Sequence, residues 1–308
     1  MLAFPSADAK WPLILILSAF VLLGVFYSLA TPPLEASDEY HHYPYVHYVQ
    51  TQHALPVMDA QDPGPWRQEA GQPPLYYLLM AGLTAWVDTS DFEDVHWINP
   101  HAFIGMPHQV GNKNLVIHRP QREAFPWRGT ILAVHVIRLG SVVLGAVTVW
   151  LVWRVAGQLC PRSNWMPLLA AALTAFNPMF VFVSAAVNND VLAALLGSLG
   201  VLLLLRILDH RSQISNPRVL AFLYVALGVV LGLGALTKLS LIAMLPLAGF
   251  VVAYRVWRGY RGSMWPRCVQ AFILQCALFL LPTLAIAGWW YVRNWQLYGD
   301  PTGVNVFM

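Results

Sequence analysis

A chain of 308 residues that is 57% hydrophobic and 11% charged, with 13 Trp, lies outside the range of a soluble domain, where about 25% of residues are charged. The small net charge of +3, with its basic residues placed as membrane topology places them, excludes nucleic-acid binding, and no P-loop or Rossmann turn is present. These features define an all-α integral membrane protein, read as a single membrane domain over residues 1–308.

In chain order, apolar runs at 11–31, 130–153, 166–186, 191–208, 219–237, 239–256 and 269–290 approach the ~20 residues that cross a ~30 Å hydrocarbon core. They predict seven helices. The first is too long for a signal-peptide apolar region, although Ser28-Leu29-Ala30 loosely fits a cleavage site. Ten bases (Lys10, Arg154, Arg162, Arg206, Arg211, Arg218, Arg255, Arg258, Arg261 and Arg267) collect on one side of these spans, against two acids, Asp8 and Asp209. By the positive-inside rule that side is cytoplasmic, giving an N-in, C-out chain. Cys160, Cys268 and Cys276 lie at that face or within a span, so no disulfide is expected.

Residues 32–129 then form one long extracytoplasmic loop, which holds 11 of the 15 acids and eight of the ten His. Early in it comes "SDEYHHYPYVHYV" (37–49). Pro44 has no N–H donor and suits a first helical turn, so the pattern predicts extended chain to Tyr43 and a short helix over about 44–54. Tyr40, Tyr43, Tyr45 and Tyr48 read as an interfacial aromatic belt. "AGQPPLYYLLMAGLTAWV" (70–87) is apolar; counted as a crossing it would turn every later arginine outward, so an interfacial helix over about 73–87 is expected. The stretch 88–129 is long for a structureless loop and reads as a lid or acceptor-facing element. The run 130–290 carries the remaining six helices, and 291–308 begins a further external segment. The G-x-x-x-G within "GVVLGLG" (228–234) predicts close helix packing.

Among the polar residues, Asp38 and Glu39 stand just past the first span. Asp190 follows Asn188-Asn189 where a helix begins, and could simply cap it. Lys238 and Arg138 are charges at or within spans, which makes them functional candidates; Arg138 should face the bundle and meet an acid or a phosphate. Arg293 follows Trp289 and Trp290, which are expected at headgroup depth, where a lipid phosphate also sits. Its planar fork suits phosphate oxygens. Glu39-x-x-His42 and Glu93-x-x-His96 match a helical metal-ligand spacing, but the extended reading before Pro44 and the loop character near 93 argue against such a site.

"PPLEASDEYHH", "GQPPLYYLL", "NPMFVFVSAAVNND", "LGLGALTKLS" and "WWYVRNWQLYGDPTG" occur in the order and spacing of the GT-C superfamily of membrane glycosyltransferases. The chain resembles its protein-O-mannosyltransferase and lipid A aminoarabinose-transferase branch, and is similar in detail to a group of bacterial multi-pass proteins within it. The resemblance implies inverting transfer of a sugar from a polyprenyl-phosphate donor to an extracytoplasmic acceptor at the bacterial cytoplasmic membrane. It also implies Asp38 and Glu39 as catalytic acids, with Arg293, Lys238 and Arg138 on the donor phosphate. Asp190 would be a second acid, with a divalent cation (Mg or Mn) as the cofactor left open at Asp38 and Asp190. His42, Tyr76 and Asn189 fall in the same motifs. The partners implied are the lipid-linked sugar, membrane lipids and a glycan, lipid or protein acceptor. Two other readings stand beside it, a non-catalytic subunit of a larger membrane complex and a lipid-linked-sugar carrier or flippase. Members of the superfamily generally continue past the last motif, so a fragment or a minimal relative is expected.

Overall fold

A computed structural model describes residues 10–36, 38–103, 106, 108–209, 216–259 and 265–306. Asp8, Arg211 and Arg261 lie outside the described residues. The elements are α1 (Lys10–Ala30), α2 (Glu39–Gln52), α3 (Leu75–Leu83), α4 (Phe92–Val95), α5 (Pro120–Glu123), α6 (Gly129–Leu159), α7 (Trp165–Ala175), α8 (Pro178–Ser184), α9 (Asp190–Leu208), α10 (Pro217–Ala235), α11 (Met244–Gly259) and α12 (Trp265–Tyr298). An isolated bridge between Ile98 and Val116 is the only β pairing among the described residues.

Six helices are long and apolar enough to cross a membrane, counting α11 with the 3-10 turn before it, and the bent pair α7–α8 makes up to seven. In hydrocarbon every backbone polar group must be satisfied within the protein, which is why these runs are helical. The third expected span is broken by 63°. Pro178 supplies no N–H, and the Asn177 side chain accepts from the N–H groups of Met179 and Phe180, so α8 starts as a new capped helix.

Two glycines fix close approaches. A Cβ on Gly228 of α10 would lie 2.2 Å from the Phe279 carbonyl oxygen, and one on Gly232 would press on Ile286 and Thr283. The G-x-x-x-G is thus the seam between α10 and α12, where Thr283 Oγ1 also donates to the Gly228 carbonyl at 2.9 Å. Gly129 has φ +57° and a Cβ there would strike the Asp91 carboxylate. Asp91 instead accepts from the Thr130 N–H at 2.8 Å and so caps α6 from the loop.

The loop from α1 to α6 folds over one end of the bundle, here the loop end. Its first helix begins five residues earlier than the sequence predicts: α2 starts at Glu39, and Pro44 lies inside it. The local proline rule fails because its cost is met from a distance. Pro44 cannot donate to the Tyr40 carbonyl four residues back, and His96 Nε2, at the end of α4, donates to that oxygen at 3.0 Å. The His96 ring also stacks on Tyr40 at 4.1 Å. Tyr40, Tyr43 and Tyr45 are buried, with Tyr45 stacked on Tyr77 at 3.8 Å. They form the loop core with α3 and do not make a lipid-facing belt. The α3 helix is shorter than expected and half buried, with Tyr76 and Tyr77 inward and Leu78, Leu79 and Leu83 exposed. At the other terminus α12 runs eight residues past the expected end, with Trp290 buried against α10 and Trp289 exposed.

Candidate functional site

Glu39 and Arg138 meet at the loop end, each with a side chain 0% exposed. Arg138 Nε donates to Glu39 Oε2 at 3.0 Å and Nη2 to Oε1 at 2.7 Å. The other guanidinium N–H groups donate to the carbonyls of Ser28, Thr31 and Pro32. Those oxygens sit at and just past the C-terminus of α1, where helix carbonyls lack partners and a cation is favoured. Glu39 is filled as completely, since Leu34 N–H donates to Oε1 at 2.9 Å and Val187 N–H to Oε2 at 2.8 Å. Of the two partners expected of Arg138, an acid or a phosphate, it has an acid, and none of its five N–H groups is left for a phosphate. Glu39 is equally closed, so neither is free for the catalytic or phosphate-binding role expected of it. The two acids part company because adjacent helical residues do not share a face.

Asp38 points elsewhere. It occupies the N-cap position of α2, is exposed, and its side chain caps nothing, although its backbone carbonyl accepts from the N–H groups of His41 and His42. Its charge acts on Glu69, as do those of Asp190 and Lys238, so four segments contribute to this region. Lys238 Nζ donates to Asp190 Oδ1. Asp190 is the first residue of α9 and leaves the cap position to Asn189. Asn189, 1% exposed, donates to the Thr237 carbonyl at 3.0 Å and to Gln72 Oε1 at 3.2 Å. Leu75 N–H donates to the Leu236 carbonyl at 2.9 Å. These bonds seat residues 66–75 against the loop ends of α9 and α10. Tyr76 donates to or accepts from Ser141 at 2.9 Å in the core and does not reach the surface.

The same docking brings in Glu69, which sequence reasoning passed over. It is 4% exposed, its Oε2 has no hydrogen-bond partner, and it lies 3.6 Å from His42 Nδ1. Burial, reinforced by the negative charge of Asp38, pushes its carboxyl up to about 7. Burial also holds His42 down at about 3, so the imidazole is neutral and shares a 2.7 Å hydrogen bond with the Tyr77 hydroxyl. The one sequence signal was isolation, since Glu69 is the sole acid between Asp62 and Asp88.

Beneath the Lys238–Asp190 pair runs an open, mainly apolar groove of about 900 Å³. Its walls include Val152 and Val155 of α6, Phe180 and Val183 of α8, and Ala194 and Val201 of α9. From Asp190 to Val201 it follows α9 for about 16 Å. Arg293 lies apart, donating to the Pro56 carbonyl at 3.0 Å and resting over the Trp290 ring at 5.0 Å. Among the described residues no three His, Cys, Asp or Glu side chains converge to hold a metal ion. Lys238 also occupies the Asp190 carboxylate. Glu39-x-x-His42 is helical after all, but its glutamate is committed to Arg138.

The fold and this arrangement define a multi-pass, all-helical membrane protein of the GT-C superfamily. Residues 133–289, just over half of the chain, match the family of dolichyl-phosphate-mannose-protein mannosyltransferases, and the chain belongs to that family. Its fold is similar to the S. cerevisiae protein O-mannosyltransferase Pmt1–Pmt2 complex bound to the sugar donor, with a TM-score of 0.60 and 17% identity over 95% of this chain. The chain spans 36% of the length of that relative. No curated protein matches it.

Proposed function

We propose that this chain is a membrane glycosyltransferase that takes a sugar from a polyprenyl-phosphate donor and passes it, with inversion, to a hydroxyl acceptor at the loop end. The observation that carries this reading is the apolar groove that ends at the Lys238–Asp190 ion pair, beside a buried Glu69 that feels the charges of Lys238, Asp190 and the uncapped Asp38. A polyprenyl phosphate has the same sequence of parts. Its tail lies in the groove, its phosphate at Lys238, and its sugar beyond, towards Asp38.

In the reaction the acceptor oxygen attacks the anomeric carbon while Asp38 takes the hydroxyl proton. The bond from that carbon to the phosphate oxygen breaks, and the departing phosphate carries the electron pair. Lys238, released from Asp190 by the competing anion, stabilises that charge. Every step uses the chain's own residues. The arginines at the opposite end, among them Arg154, Arg206, Arg218, Arg255 and Arg267, support a loop end facing outward from a cytoplasmic membrane.

The test is transfer from a short-chain polyprenyl-phosphate mannose to hydroxyl acceptors by protein in nanodiscs. Asp38→Asn keeps size and removes the base, so turnover falls by a factor of roughly 10² to 10⁴ with donor binding retained. Transfer at the wild-type rate in that variant rejects the mechanism.

A further inference from the structure

We propose that Glu69 reads the saccharide: its unpartnered carboxyl oxygen accepts a hydrogen bond from a hydroxyl of the lipid-linked sugar. The inference rests on the donor reading above and gives the sugar a place within it.

Buried polar atoms are almost always paired, and an orphaned carboxylate oxygen is among the costliest exceptions. Glu69 Oε2 is such an atom on a residue 4% exposed. The adjacent Gln68 side chain hydrogen-bonds the Glu69 carboxyl and still leaves Oε2 without a partner, and the other neighbouring donors are already spent. His42 Nδ1 stands off at 3.6 Å and is engaged with Tyr77, Asn189 serves Gln72 and the Thr237 carbonyl, and Lys238 is held by Asp190. The site therefore has an acceptor to spare, and the ligand group that completes it is a donor.

Charge then separates the two polar parts of the lipid. The negative charges of Asp38 and Asp190 and the positive charge of Lys238 all act on Glu69, with Asp38 the strongest of the three, so on the Asp38 side an anion is repelled and a neutral hydroxyl is not. The phosphate belongs at Lys238, on the groove wall, and the sugar at Glu69, off the groove and next to the base. The carboxyl, pushed up to about 7 by burial and by Asp38, is near its midpoint in neutral water. A hydroxyl arriving at Oε2 draws it towards the carboxylate, which strengthens the bond it makes.

The experiment compares binding of a short-chain polyprenyl phosphate with binding of its mannosyl, glucosyl and N-acetylglucosaminyl forms, using full-length wild type, Glu69→Gln and Glu69→Leu in nanodiscs. Wild type should hold at least one glycosylated form about tenfold more tightly than the bare phosphate, a margin set by one hydrogen bond to a charged group. Glu69→Leu should lose that margin and Glu69→Gln, which keeps an acceptor oxygen and the shape, should lose part of it. All three should bind the bare phosphate equally, which also shows that the variants are folded. A margin that survives Glu69→Leu, or is absent from wild type, overturns the inference while the donor reading stands. Wild type that binds none of the four lipids overturns the donor reading and the inference with it.

Discussion

Glu39 and Arg138, 99 residues apart, close a buried ion pair in which every guanidinium N–H has an oxygen and each carboxylate oxygen accepts twice. Its value lies in completeness, because removing one partner leaves a bare charge in a low-dielectric interior. Glu39→Gln or Arg138→Met should each cost about 3–5 kcal/mol of stability. The double variant should recover part of that loss. Thermal unfolding in detergent measures all three, and single variants as stable as wild type would show that the pair holds nothing together.

A second expectation concerns Pro44 and His96, which share one carbonyl. His96→Ala leaves the buried Tyr40 oxygen without a donor and should cost about 1–3 kcal/mol. Pro44→Ala restores the N–H that an ordinary helix supplies there. In that background His96→Ala should lose much of its effect. A double-mutant cycle reads the coupling, and additive penalties would mean that the two residues do not serve the same oxygen.

The loop over the site should loosen with pH in a defined direction. His118 Nε2 bonds Glu35 at 3.0 Å and Nδ1 bonds Glu123 at 3.0 Å, tying the 97–118 stretch to the exit of α1. Hydrogen bonding to Glu35 raises the imidazole above its ordinary 6.5 against the opposing effect of burial, with Glu123 adding to the rise. A raised histidine contributes fully below about 6.5 and loses its contribution as pH climbs through the folded value. Burial alone would raise Glu35, but the bond from His118 and backbone N–H groups outweigh it and hold the carboxyl below 4.5. That contribution is present above about 4.5 and is lost as pH falls through the folded value. The clamp is tightest at about pH 4.5–6.5. Amide exchange around Val116 should quicken on the alkaline side, and His118→Gln should flatten the profile. A profile indifferent to that substitution would sink the assignment.

Gly228→Ala should separate α10 from α12, since its Cβ would lie 2.2 Å from the Phe279 carbonyl oxygen. Overpacking of this kind costs about 1–3 kcal/mol. Gly249→Ala in α11, where a Cβ meets nothing within 4 Å, is the control and should be neutral or slightly stabilising. Equal melting of the two variants would contradict the close seam.

The spans were legible because an apolar run of sufficient length has one outcome in hydrocarbon, and Arg138 for the same reason announced a buried anionic partner without saying whether it was an acid or a phosphate. The start of α2 was not legible: the proline rule is local, and the donor that relieves it, His96, lies 52 residues further along the chain. The pairing of Asp38 with Glu39 misled because adjacency in sequence suggests a shared task, while the helix that begins there turns one outward and one inward. Glu69 was missed because its meaning comes from burial and from a partner it does not have, and neither is written in the residues beside it.

Arg138 holds the end of α1 through three backbone oxygens and no side chain of that segment. Oxygens of the main chain are supplied by every amino acid alike. The side chains at 28, 31 and 32 therefore take no part in what the guanidinium grips, whereas at position 138 the grip itself depends on the side chain. A contact of this type leaves no trace of side-chain covariation between position 138 and positions 28, 31 and 32.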